Sequence, residues 1–141
     1  MKNCFGFALA DSMFAGDVVI HRRPLTVDEV KKLVAEGVVS CFNPSHKPTI
    51  DAMRSRYGID CAIPAIPPKV ELRPGDSMVM MGVRGLPRLV DRHEYTAEEI
   101  SAASFVFSRY YVFDTAELEG NIRGYAAANC GADAFRFAWQ Y

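Results

Sequence analysis

The sequence predicts an α/β fold, a single domain in which short helices flank a mixed sheet. Three observations point there. Two capping boxes, Thr26 with Glu29 and Thr96 with Glu99, each open a short helical run. Apolar runs of strand length alternate with those helices. Residues 104–113 gather Phe105, Phe107, Tyr110, Tyr111 and Phe113, a density of aromatic side chains that suits a strand.

The elements follow in chain order. Residues 4–9, interrupted by Gly6, are apolar and compact enough for a buried strand, and Ala10, Asp11 and Ser12 then form a polar turn. Residues 17–21 suit a short edge strand. Residues 24–37 carry the clearest helix signal: Val27, Val30, Leu33 and Val34 recur on one face, Asp28, Lys31, Lys32 and Glu36 occupy the solvated one, and Gly37 stops the run. Residues 38–43 are an apolar strand that ends in the polar turn 43–47. A helix over 48–57 follows, with Pro48 in its first turn and Gly58 closing it. Arg54 and Arg56 point away from its apolar stripe.

Pro64, Pro67 and Pro68 hold residues 59–68 on an extended path outside any sheet. Residues 70–73 alternate as a strand, 74–76 make a tight turn, and residues 78–83 are apolar on both faces. Together these predict a hairpin whose second strand is central. Met78, Met80 and Met81 are core filling by this reading. Residues 84–92 are a loop, a short helix opened by Thr96 runs through Ser101, and the aromatic strand follows. A last helix is expected over 115–129, ended by Gly131, and residues 132–141, with Trp139, as a final strand or packed tail.

A chain of 141 residues is long enough to bury a core without covalent staples. Sixteen basic against seventeen acidic side chains leave no basic face for duplex nucleic acid, though a small anion in a local pocket remains compatible. Cys4, Cys41, Cys61 and Cys130 are widely spaced, without a Cys-x-x-Cys pattern, as expected of reduced core thiols. No apolar run reaches membrane-spanning length and no leader-like segment follows Lys2, so the chain is expected to be soluble and cytoplasmic. No His/Cys or paired-carboxylate spacing suggests a metal site, and no cofactor is expected.

The chemistry concentrates where the 38–43 strand meets the following helix. A strand, a short loop and a helix N-terminus form a setting in which backbone N–H groups favour an anion. Asn43, Ser45, Lys47 and Thr49 surround that point with hydroxyls, an amide and a cation, so a phosphate ester is the natural occupant. His46 would then lie beside phosphate oxygen as a proton donor or acceptor near neutral pH. The competing reading is a solvated loop histidine. Ser12 and Asp11, at the end of the first strand, are secondary ligand candidates, and a self-capped turn explains them equally well. Arg84, Arg88, Arg92 and His93, around Gly85 and Pro87, form the one local concentration of positive charge. They suit either a clamp for anionic ligand or a solvated loop.

Taken in order, the capped helix ending in Gly37, "VVSCFNPSH", "HKPT" opening a helix, "VELRPGDSMVM", the "GLPR" loop and the aromatic strand resemble the small viral type III anti-CRISPR ring nucleases. The likeness spans roughly residues 1–113, expected as the ligand-binding core, with residues 114–141 as an extension packed on it. The resemblance implies a homodimer that binds cyclic tetra-adenylate across its two-fold axis and cleaves it without metal. A ribose 2′-hydroxyl of the ligand attacks its own phosphodiester, and the histidine protonates the leaving 5′-oxygen. His46 matches that histidine after a two-residue insertion, and Ser40 matches the serine that opens the segment. The family's Arg-Leu-Pro-Glu loop reads here with Gly85 in place of the arginine and Arg88 in place of the glutamate. Its arginine ahead of the hairpin falls near Pro67, and its asparagine after the first strand near Ala8. Arg84 or Arg88 is the candidate replacement for the missing guanidinium. A sponge that sequesters the nucleotide without turnover, and a structural viral protein that kept only the fold, are the alternatives.

Overall fold

The structure, a computed structural model, describes residues 1–116. It is the α/β arrangement the sequence predicts, a five-stranded mixed sheet with short helices. The helix expected over 115–129, beyond its first two residues, the tail 132–141 and Cys130 lie outside the described residues.

Five strands form the sheet: β1 (Asn3–Gly6), β2 (Val18–Leu25), β3 (Val39–Ser40), β4 (Ser77–Arg84) and β5 (Ser104–Asp114), in the order β2-β5-β4-β1-β3. β1 runs parallel to both β3 and β4, while β5 is antiparallel to β4 and β2. The centre is therefore β4, as its two-faced apolarity predicts, with Met78, Val79 and Met81 buried. Both edges among the described residues are blunt. β3 is two residues long, and β2 exposes His21, Arg22, Arg23 and Pro24.

Helices α1 (Val27–Glu36), α2 (Lys47–Tyr57) and α3 (Ala97–Ala102) carry legible end signals: capping boxes open α1 and α3, and glycines close α1 and α2. Thr26 and Glu29 cap α1 reciprocally, Thr96 and Glu99 cap α3, and Gly58 closes α2 in the left-handed conformation at φ 69°. Val30 and Leu33 of α1, Ile50 and Met53 of α2 and Ile100 of α3 join Phe5, Phe42, Val79, Met81, Phe105 and Phe107 in the main core, on one face of the sheet. The opposite face carries a smaller core of Cys4, Leu72, Met78 and Val112, under Leu9, Met13 and Phe14.

Several expectations need correction. The 70–73 strand does not form, so there is no hairpin: Leu72 donates its N–H to the Met13 carbonyl at 2.7 Å, and the segment covers the smaller core as a loop. Alternation at Val70 and Leu72 reports burial of two side chains, which a loop achieves as well as a strand. The turn at 74–76 does form, with Gly75 at φ 96° and Asp76 accepting from the N–H groups of Arg73 and Lys2. The first strand stops at Gly6, short of Leu9, and the 38–43 strand shrinks to Val39–Ser40, whereas the edge strand expected at 17–21 extends to Leu25.

Candidate functional site

The turn that carries His46 is built from its own side chains. Asn43 caps a 3-10 turn, Pro44–His46, accepting from the Ser45 N–H at 2.9 Å and from the Ser45 hydroxyl, and α2 continues without a break. The Asn43 N–H in turn donates to Nδ1 of His46 at 3.3 Å. Beneath the imidazole lie rings: Phe7 meets it edge-on with centroids 4.5 Å apart, and Phe42, fully buried, meets Phe7 at 4.9 Å and Phe5 at 5.0 Å. Partial burial lowers the pKa of His46 below its ordinary value. The resting side chain is therefore a neutral imidazole whose Nδ1 accepts from the backbone and whose proton is on Nε2, the nitrogen left for a ligand.

His46 opens onto a cleft of about 550 Å³. Ser45 and Thr49 share its wall, Phe7, Val83 and Ile100 form an apolar floor, and residues 85–95 supply the second wall through Leu86, Leu89, His93, Glu94 and Tyr95. The second wall has no strand or helix of its own. Leu86 and Tyr95 pack on the main core, and Arg92 is bound through both guanidinium nitrogens to Glu99, which also accepts from the Thr96 N–H. Those bonds hold the Glu99 carboxyl down at about 2.

Of the residues singled out by sequence, the structure brings Ser45, His46 and Thr49 together on the cleft, with Asn43 positioning them from behind. Lys47 turns along α2 to pair with Asp51 at 2.6 Å. Ser40 lies in β3 with its hydroxyl buried beside the Cys61 thiol. Ser12 and Asp11 sit exposed in a 3-10 turn next to the smaller core, away from the cleft. Arg84 and Arg88 do not line the cleft: Arg84 shares a sheet face with Gly82, opposite to Val83, and it is Val83 that lines it.

Two further arginines have structural partners. Arg56 donates to the carbonyls of Ile100, Ser101 and Ala103, closing the end of α3, and lies 5.0 Å from the centroid of the Phe105 ring. Arg54 pairs with Asp51 and Asp60. Of the basic group offered as a clamp for anionic ligand, His93 is the member that lines the cleft, and Glu94 beside it went unnoticed in the sequence. Among the described residues no three His, Cys, Asp or Glu side chains gather in a way that could hold a metal ion, and no helix is long and apolar enough to cross a membrane.

No protein-family model matches the sequence, and no curated protein matches it. Among solved structures the chain is similar to B116 of Sulfolobus turreted icosahedral virus (STIV), at 15% sequence identity and a TM-score of 0.53, over 79% of this chain and 99% of that one. At that identity the likeness establishes a shared architecture, and the shared part spans nearly the whole of the viral protein.

Proposed function

We propose that the chain is a viral counter-defence protein of the host cytoplasm that binds a cyclic oligonucleotide second messenger and cleaves it without metal, as a homodimer, with His46 as general acid. The observation that carries this reading is the placement of His46 on the cleft with the Ser45 and Thr49 hydroxyls beside it and Nε2 left for a ligand. Such a cleft fits part of a cyclic oligonucleotide rather than the whole ring, and a second protomer related by a two-fold axis would supply the other half. In the reaction, a ribose 2′-hydroxyl gives its proton to a base or to solvent water as O2′ bonds to its neighbouring phosphorus, the P–O5′ bond breaks, and imidazolium protonates O5′. The likeness in fold to a viral protein supports the setting.

A second reading has its own support. Neutral imidazole carries one proton, on Nε2, and surrendering it would leave an imidazolate. Acid catalysis therefore needs a second proton on His46, which requires the 3.3 Å contact from the Asn43 N–H to open. A bound phosphate favours that change by stabilising the imidazolium. Without the change, His46 is a donor that holds an anion in place, and the protein is a sponge.

Cyclic tetra-adenylate, offered to the wild type and to His46→Ala, separates the two. The enzyme reading expects similar binding, turnover lower by about 10²- to 10⁴-fold in the variant, products ending in a 2′,3′-cyclic phosphate, and indifference to EDTA. Binding by both proteins with product from neither assigns the sponge.

A further inference from the structure

The cleft holds a second imidazole. His93 lines it from residues 85–95 while His46 lines it from the turn ahead of α2. Neighbouring Arg92 is committed to Glu99, yet neither His93 nor Glu94 makes a hydrogen bond or ion pair with any described residue. Both therefore face the cleft with their chemistry unspent.

Transesterification by a ribose 2′-hydroxyl needs two proton transfers, one off the attacking oxygen and one onto the leaving oxygen. In-line displacement puts those oxygens on opposite sides of phosphorus, so an imidazole on one wall serves only one of them. We infer that His93 is the second catalytic residue, the general base for the attacking hydroxyl, sharing the cleft with His46.

The inference rests on the nuclease reading above. In the step, neutral His93 takes the proton from O2′ as the O2′–P bond forms, the P–O5′ bond breaks, and O5′ takes a proton from the His46 imidazolium. The products are a 2′,3′-cyclic phosphate and a 5′-hydroxyl. His93 is left protonated and His46 neutral, and exchange with water restores both. The titratable groups that line the cleft with His93 are His46, Glu94 and Tyr95, and the Arg92–Glu99 pair adjoins the segment.

The test is single-turnover cleavage of cyclic tetra-adenylate by the wild type, His93→Gln and His46→Ala across pH. His93 is exposed, so the glutamine variant keeps the fold. The expected result is a wild-type rate with two limbs in pH. His93→Gln should lose about 10²- to 10⁴-fold in rate, lose the acidic limb, keep its affinity and recover rate when imidazole is added. Wild-type cleavage with an unchanged rate and profile in His93→Gln overturns the inference and leaves the nuclease reading standing. No cleavage by the wild type overturns both.

Discussion

The wall of the cleft that carries His46 rests on a stack of buried rings and a self-capped turn, whereas the wall that carries His93 spans β4 to α3 as a loop tied down by two apolar side chains and one ion pair. Moving the first wall means disturbing Phe42, which is fully buried, and the N-terminus of α2. Moving the second means breaking an exposed pair and lifting Leu86 and Tyr95. One side thus fixes the orientation of an imidazole, and the other is held by fewer contacts. The two walls rely on different kinds of contact: burial for one, a tether for the other.

Phe42→Ala should break the contrast most strongly. Removing a fully buried ring costs about 3–5 kcal/mol, and here it also removes the support under Phe7 and His46. Chemical denaturation should show that loss, and a change under about 1 kcal/mol would mean that the first wall does not depend on its rings.

Asn43→Ala comes next, at about 0.5–2 kcal/mol for a lost cap. Without the side chain that fixes the turn, His46 should become less buried and its pKa should rise toward its ordinary value, visible by NMR titration. An unmoved titration would show that the cap does not position the ring.

A third expectation follows from the depressed pKa of His46. Protonation is harder in the folded chain than in the unfolded one, so stability from this group is present above the unfolded value of 6.5 and is lost as pH falls through the folded one. His46→Gln should remove that part of the pH dependence below 6.5. Parallel stability curves for the two proteins would refute the assignment of a neutral resting imidazole.

The smallest effect on global stability belongs to the tether. Glu99→Gln keeps an acceptor for the Thr96 N–H and removes the charge that holds Arg92. Hydrogen exchange should quicken over residues 86–95 and stay unchanged over 43–49. The Glu99 carboxyl is held down at about 2, so in the wild type the tether is present above the usual carboxylate range and is lost only as pH falls through about 2. Equal exchange in both segments would erase the distinction between the walls.

Legibility in the sequence divides along the same line. Capping boxes, stop glycines and the two-faced apolarity of β4 are local signals, and α1, α2, α3 and β4 follow from them. His46, Ser45 and Thr49 are close in sequence, so their grouping was legible too. The second wall was not, because residues 85–95 meet residues 45–49 only through the tertiary fold. Two signals were nevertheless present. Leu86, Leu89 and Tyr95 are apolar side chains inside an apparently basic loop, which marks a segment with a buried side. Strand parity puts Val83 and Arg84 on opposite faces of β4, so only one of them can reach a cleft on the helix side. The phantom hairpin at 70–73 shows the converse, since period-two apolarity was present where the backbone bonds to a turn rather than to a strand.

The blunt edges of the sheet limit how this chain can meet others of its kind. A strand edge recruits partners when it offers a long, flat row of unused N–H and C=O groups. Here β3 offers two residues, and Pro24 withholds one donor from β2, near the exposed side chain of Arg22. Growth of the ladder from copy to copy, the route to fibrils, is thereby discouraged at both described edges.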